Sequence, residues 1–228
     1  MHTVTDNNNP PRFLILGAGR FGSLALDRLR KRWPLSRIIM VDCCRPADFN
    51  LEVVGVRFIS AEAVGYLASL AEPAAAADWI VPAVPVHVAG QWVRRRLAES
   101  GQVFPLAIPN AVVSLVPHPM HGKDGQLYVS NADFLCPDDC PEPEKICTVT
   151  GKPRPQVLHT LLAGLSIPGF TVVVVRSRQL APGVGGYRPV DLQDAMDRVR
   201  AAPGPVLLAT ACKCHGVIEA LDPRSGIG

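Results

Sequence analysis

The sequence lacks the features that would place a protein in a membrane or on a polyanion. No apolar run approaches the roughly 18 residues of a bilayer-spanning helix, and residues 1–12 are polar, unlike the apolar core of a secretion signal. There are 23 basic and 20 acidic residues, a net charge of +3, which is too small to favour nucleic-acid binding. We therefore expect a cytoplasmic protein with no membrane span and no nucleic-acid partner.

The sequence also lacks the marks of a disulfide-stabilised or a disordered chain. Its seven cysteines are an odd number in a chain without a secretion signal, which argues against a disulfide framework. Hydrophobic residues make up 48% of the chain and charged residues 19%, a globular composition that excludes intrinsic disorder. The cysteines are clustered, and clustered reduced thiols favour metal or redox chemistry.

The first half carries a glycine-rich motif between two apolar runs. Residues Arg12–Leu16 predict a buried parallel strand, and the sequence GAGRFG follows at once at residues 17–22. A second apolar run, Arg37–Val41, is followed by Asp42, an acid that lies 20 residues (42 − 22) after the last glycine. The order of strand, glycine turn, helix, strand and acid is typical of a dinucleotide-binding unit.

Each part of this motif has a role in holding a dinucleotide. Gly17 permits the tight turn, Gly19 lets backbone approach a pyrophosphate, and Gly22 lets helix and strand pack closely. The helix start offers unpaired N–H groups to the pyrophosphate. Asp42 can accept hydrogen bonds from ribose hydroxyls, which favours NAD, whereas Arg45 close by would favour NADP. The predicted cofactor-binding residues are Gly17, Gly19, Arg20, Phe21, Gly22, Asp42 and Val84.

Strands and helices continue to alternate after the motif. We expect strands at 53–59, 78–83 and 103–108, with helices at 61–70 and 87–99 between them. This alternation predicts an α/β fold with a doubly wound, Rossmann-like parallel sheet. Val84 and His87 follow the fourth strand, at the ligand edge of such a sheet. His87 is therefore a candidate catalytic acid or base beside a nicotinamide, or else a helix-start residue with a satisfied hydrogen bond.

The segments ILGAGRFG and IIMVD resemble the nucleotide-binding domains of regulators of potassium conductance. They are also similar to the first domain of small NAD(P)-dependent dehydrogenases. The resemblance covers residues 12–110. It implies a bound nucleotide in contact with Gly17, Gly19, Gly22 and Asp42, and it suits a redox enzyme and a ligand sensor equally.

The second half holds five of the cysteines in two groups. Cys136, Cys140 and Cys147 have C-x3-C-x6-C spacing in a proline-rich stretch, and Cys212 and Cys214 follow a predicted strand at 205–210. Three thiolates need at least one further ligand for a zinc ion or an iron–sulfur cluster, and the candidates are Cys212, Cys214 and His215. These three follow the carboxyl end of a predicted strand, so we expect the two groups to converge at the ligand edge near the dinucleotide. A Cys212–Cys214 dithiol and buried free cysteines are the alternatives.

The rest of the second half predicts an α/β extension. Helices are expected at 156–165, 189–200 and 217–221, and a strand at 170–176. We divide the chain into a dinucleotide-binding domain at 12–110 and a cysteine-containing extension at 111–228, which either forms its own sheet or continues the first.

Three functions remain open from the sequence. The first is an NAD(P)-linked oxidoreductase, or a redox-complex subunit, with a cysteine-ligated iron–sulfur or zinc centre. The second is a non-catalytic nucleotide-sensing module of the potassium-conductance-regulator type. The third is a structural subunit with a vestigial ligand site. We expect a homo-oligomer that acts with a small molecule or a redox-protein partner.

Overall fold

The computed structural model describes residues 10–45, 54–99, 101 and 103–223. The polar N-terminus and the first residue of the strand predicted at 53–59 lie outside the described residues. The strands are β1 Arg12–Leu16, β2 Arg37–Asp42, β3 Val56–Ser60, β4 Trp79–Pro82, β5 Phe104–Leu106, β6 Met120–His121, β7 Leu127–Ser130, β8 Thr171–Arg176, β9 Arg178–Ala181, β10 Val184–Gly186, β11 Val206–Ala211 and β12 His215–Asp222. The helices are α1 Arg20–Arg32, α2 Ala63–Ser69, α3 Pro73–Ala76, α4 Val88–Ala98, α5 Asn110–Leu115, α6 Leu158–Ala163 and α7 Pro189–Arg200.

A four-stranded parallel sheet forms the first half, in the order β3-β2-β1-β4. Its central strand β1 is buried from Phe13 to Leu16 because apolar helices cover both faces. On one face Ala25 and Leu29 of α1 join the hydrophobic cluster that contains Phe13. On the other face α2 and α4 pack against the cluster that contains Leu14. The α/β class expected from the sequence is confirmed.

The second sheet is mixed and has the order β6-β7-β12-β11-β8, with β5 also paired to β12. The β8 and β11 strands are parallel, whereas β12 runs antiparallel to β5, β7 and β11. The two sheets share one hydrophobic cluster, to which Leu14 and Ile80 contribute from the first and Val173 and Leu208 from the second. The β9 and β10 strands form a separate antiparallel pair. Tyr187, the residue after β10, attaches this pair to the first sheet, because its backbone exchanges hydrogen bonds of 2.9 and 3.0 Å with Ile80 of β4.

Two predicted elements are wrong. The strand predicted at 103–108 is the short β5, which pairs with β12 instead of extending the parallel sheet. It contains Pro105, and both Phe104 and Pro105 are exposed, so it lacks the burial that a central parallel strand needs. The helix predicted at 217–221 is part of strand β12. A short apolar run does not distinguish helix from strand, and pairing with β7 and β11 decides the outcome.

Among the residues that the structure describes, none of the helices has the length and apolarity that crossing a bilayer requires.

Candidate functional site

The glycine turn joins β1 to α1. Gly17 has φ +110°, and its N–H donates to the carbonyl of Val41 at 2.8 Å. A Cβ at Gly17 would lie 2.7 Å from the carbonyl oxygen of Ala83, and one at Gly22 would overlap the carbonyl oxygen of Gly17. Both positions therefore require glycine on steric grounds.

Gly19 differs from its two neighbours in the motif. It is the N-cap of α1 and makes no side-chain cap, and a Cβ built on it would meet no described atom within 4 Å. The first N–H groups of a helix lack intrahelical partners, and they carry the positive end of the helix dipole. An open backbone surface at this point has the shape and polarity to accept a phosphate oxygen.

Asp42 lies at the carboxyl end of β2 and contacts the glycine turn directly. Its Oδ2 accepts from the N–H of Ala18 at 2.7 Å, and its Oδ1 accepts from the N–H of Cys44 at 3.0 Å. Partial burial opposes ionisation, but these hydrogen bonds outweigh it and lower the pKa of Asp42. An ionised carboxylate has about four acceptor positions, so Asp42 keeps capacity for ribose hydroxyls.

The structure separates Val84 from His87. Val84 lies beside the turn, because its Cγ1 is 3.0 Å from the Cβ position of Gly17. His87 is the N-cap residue of α4 and only 2% exposed. Its Nε2 is 2.9 Å from Thr210 Oγ1, and its Nδ1 is 3.3 Å from Glu219 Oε1. His87 is therefore buried at a helix start with one ring nitrogen hydrogen-bonded, and its catalytic role stays a prediction.

Sequence reasoning missed the partners of His87. Glu219 is 6% exposed and also lies 3.7 Å from Nε of Arg94. The available signal was the single acid within the apolar run of β12, because a buried carboxylate needs a charged or hydrogen-bonding partner.

A cavity of about 470 Å³ brings the five cysteines of the second half together. Its lining includes Cys136, Cys140, Cys147, Cys212 and Cys214, together with Phe21 of the glycine motif. Cys212 and Cys214 lie in the turn between β11 and β12, and the other three lie in the irregular segment before α6. Cys43 and Cys44 are exposed beyond β2 and do not line it.

Two of these thiols accept hydrogen bonds in the same way. Cys212 Sγ accepts from the backbone N–H groups two and three residues ahead, those of Cys214 at 3.4 Å and His215 at 3.3 Å. Cys147 accepts from the N–H and hydroxyl of Thr150 and from the N–H of Val149, and these bonds lower its pKa. Donors aimed at sulfur stabilise a thiolate and tune cysteine-bound metal centres.

Four of the thiols are close enough to affect one another. Burial raises the pKa of Cys136, and the neighbouring thiols of Cys140, Cys214 and Cys147 raise it further. Burial also raises the pKa of Cys214, against the effect of Arg154, whose Nε donates to Cys214 Sγ at 3.1 Å.

Cys212 differs from the other four. Burial raises its pKa to about 12, and the carboxylate of Glu142 contributes in the same direction. Burial and the Glu142 carboxylate thus oppose ionisation of the Cys212 thiol, against the two N–H donors that favour it.

The described residues contain no group of three or more His, Cys, Asp or Glu side chains that could hold a metal ion. The zinc and iron–sulfur assignments of Cys136, Cys140, Cys147, Cys212 and Cys214 stay predictions.

Ion pairs connect the cysteine segment to the helix of the glycine turn. Asp138 lies between Cys136 and Cys140, and its Oδ2 accepts from Arg20 Nη2 at 2.7 Å. Arg28 of the same helix donates to the Asp138 carbonyl at 2.6 Å. The N–H of Gly183 donates to the carbonyl of Cys140 at 2.9 Å. The cysteine segment is thus held against α1 and the β9–β10 hairpin.

Comparison with known proteins relates this chain to an archaeal protein. Residues 89–224, which include all five cavity cysteines, match the AF_1314_C family, described as "Uncharacterized protein, C-terminal domain". An "Uncharacterized protein" of Archaeoglobus fulgidus is 30% identical over 223 residues, which cover 91% of this chain and 98% of that protein. No solved structure matches the chain.

Proposed function

The chain belongs to the AF_1314_C family, and for this member we propose a redox function in which a cysteine-ligated iron–sulfur cluster lies beside a bound dinucleotide. The observation that carries the proposal is the shared cavity of about 470 Å³, which thiols from two distant segments line together with a residue of the glycine motif.

The donor set fits a cluster. Thiolates are the ligands of iron–sulfur clusters, and Cys136, Cys140, Cys147 and Cys214 are the four thiols that interact through their charges. A cluster places inorganic iron and sulfide between its thiolates, which suits sulfurs that two separate segments contribute to one cavity. We assign these four as ligands. We leave Cys212 outside this set, as a thiol beside it that accepts hydrogen bonds from the N–H groups of Cys214 and His215.

The first sheet supports the dinucleotide part of the proposal. Its order β3-β2-β1-β4 is the one found around the ligand site of Rossmann-like folds. Gly17, Gly19 and Gly22 would form the diphosphate turn, with Arg20 and Phe21 at the helix start. Asp42 would hold the ribose of NAD or NADP, and Val84 would flank the cofactor.

A dinucleotide and an iron–sulfur cluster in one chain suit a subunit that works with a redox-protein partner. A nicotinamide supplies two-electron hydride transfer and a cluster one-electron transfer. In this proposal the chain binds and orients both: α1 offers its N–H groups to the diphosphate, and the cysteine segment and the β11–β12 turn supply the thiolates.

The position of His87 favours a second candidate function. A nucleotide-sensing module of the potassium-conductance-regulator type needs binding but no proton-transfer group. The residue expected to transfer protons is 2% exposed and hydrogen-bonded to Thr210.

Anaerobic purification with iron and sulfide analysis tests the proposed centre. We expect visible absorption that dithionite bleaches, with about four iron and four sulfide per chain. Cys136→Ser and Cys214→Ser should each lose most of the iron, because a three-thiolate site binds a cubane cluster poorly.

Cys212→Ser and Cys43→Ser are the matched controls and should keep the iron. Stoichiometric zinc in colourless protein, or iron retained in Cys136→Ser and Cys214→Ser, would contradict the assignment.

A further inference from the structure

Arg20 connects the glycine motif to the cysteine segment. It is the first residue of α1, next to the open N-cap at Gly19. Its side chain is 74% exposed and reaches Asp138, which is 34% exposed, at 2.7 Å. One cation thus lies beside the proposed diphosphate position and also holds the loop between Cys136 and Cys140.

Arg28 holds the same loop more firmly. Its side chain is only 18% exposed, and it donates to the carbonyls of Asp138 and Pro182 at 2.6 and 3.0 Å. Its guanidinium also lies 3.5 Å from the Asp138 carboxylate. The loop therefore has one fixed contact with α1, through Arg28, and one exposed contact that can be exchanged at little cost, through Arg20.

We propose that Arg20 exchanges Asp138 for the diphosphate when a dinucleotide binds, so that nucleotide binding loosens the Cys136–Cys140 loop. This inference rests on the proposed dinucleotide site. A diphosphate carries more negative charge than one carboxylate, and arginine forms strong bidentate hydrogen bonds with phosphate oxygens. Asp138 would keep Arg28 alone, and the loop would lose its outer contact.

Linkage makes the exchange measurable from either side. If Asp138 competes with the diphosphate for Arg20, nucleotide binding weakens the Arg20–Asp138 ion pair by some factor. By linkage, removal of the Asp138 charge must strengthen nucleotide binding by that factor. We expect Asp138→Asn to lower the Kd for NADH, or for NADPH if that is the form bound, by about two- to fivefold, the range expected for an exposed ion pair. Calorimetry on the anaerobically purified full chain measures it.

Asp27→Asn provides the matched control. Asp27 lies on the same helix but pairs with Lys31 of that helix at 2.8 Å, so its replacement makes the same change of net charge as Asp138→Asn without touching the cysteine loop. We expect its Kd to equal that of the unmodified chain. An unchanged Kd in Asp138→Asn, or an equal decrease in both variants, overturns the inference and leaves the dinucleotide site intact. Absence of NADH and NADPH binding in every variant overturns both.

Hydrogen–deuterium exchange of residues 136–142 measures directly how readily the backbone of the loop opens. We expect faster exchange in the presence of NADH or NADPH. Arg20→Gln should show this faster exchange without nucleotide and no further response to it. Equal exchange with and without bound nucleotide in the unmodified chain contradicts the loosening.

Discussion

Replacement of single glycines by alanine in the turn separates its structural role from its binding role. Gly17→Ala places a side chain on a residue with φ +110° and brings its Cβ within 2.7 Å of the Ala83 carbonyl oxygen. Backbone strain of this kind costs about 1–3 kcal/mol, and relief of the contact adds to it, so we expect a loss of about 2–4 kcal/mol in unfolding free energy. Urea unfolding followed by circular dichroism measures it.

Gly19→Ala should lower nucleotide affinity while leaving the unfolding free energy almost unchanged. Gly19 has φ −70° and ψ −166°, which alanine adopts without strain, and its Cβ would meet no described atom within 4 Å. The stability cost is then that of a poorer N-cap, below about 1 kcal/mol. The added methyl group occupies the surface where a diphosphate would approach, so NADH or NADPH affinity should fall at least about tenfold, or about 1.4 kcal/mol.

Each of the two variants has an outcome that would contradict this reasoning. Unchanged nucleotide affinity in Gly19→Ala would mean that the diphosphate does not approach the N-cap of α1. Unchanged stability in Gly17→Ala would mean that the turn does not have the backbone conformation described.

Two further predictions concern a buried hydroxyl group and a hydrogen-bonded carboxylate. Tyr187→Phe should raise the unfolding free energy by about 1 kcal/mol, or about 2–4 °C in melting temperature, because the Tyr187 hydroxyl is buried without a hydrogen-bond partner in the described structure; a lower melting temperature contradicts this. Asp42→Asn should cost stability above pH 3.8, the ordinary pKa of aspartate, since the folded-state pKa of Asp42 is lowered; this stability is lost as the pH falls through the folded-state pKa. Urea unfolding at several pH values checks it, and a cost that persists at the acid end would show that the Asp42 charge is not responsible.

Local sequence patterns correctly predicted the helices and strands whose formation depends on residues close to them in the chain. The helix at 189–200 and the strand at Arg12–Leu16 have the predicted bounds, because proline at the helix start and a continuous apolar run are local signals. The glycine motif is of the same kind. Gly17 and Gly22 are required by carbonyl oxygens that lie just after the adjacent strand β4 or within the turn itself.

Long-range pairing was outside the reach of those patterns. The sequence of β12 contains a short apolar run that fits a helix or a strand, and only its pairing with β7 and β11 decides between them. The contacts of Glu219 with His87 and of Asp138 with Arg20 span 132 (219 − 87) and 118 residues, so no local pattern connects them. Convergence of the two cysteine groups could be expected only from the tendency of ligand sites to lie at carboxyl ends of strands.

The cysteine segment gives an independent reason to expect a ligand in the cavity. Residues 131–157 form no helix or strand beyond one isolated bridge between Ile146 and Pro153, and none of their side chains is fully buried. A segment so much longer than the about 12–15 residues of ordinary loops requires something other than apolar burial to offset its conformational entropy. Hydrogen bonds from Arg28, Arg154 and Gln179 to its carbonyl groups supply part of that stabilisation. In the proposed function, bonds from Cys136, Cys140 and Cys147 to a common centre supply the rest, because metal ligation and folding are thermodynamically coupled.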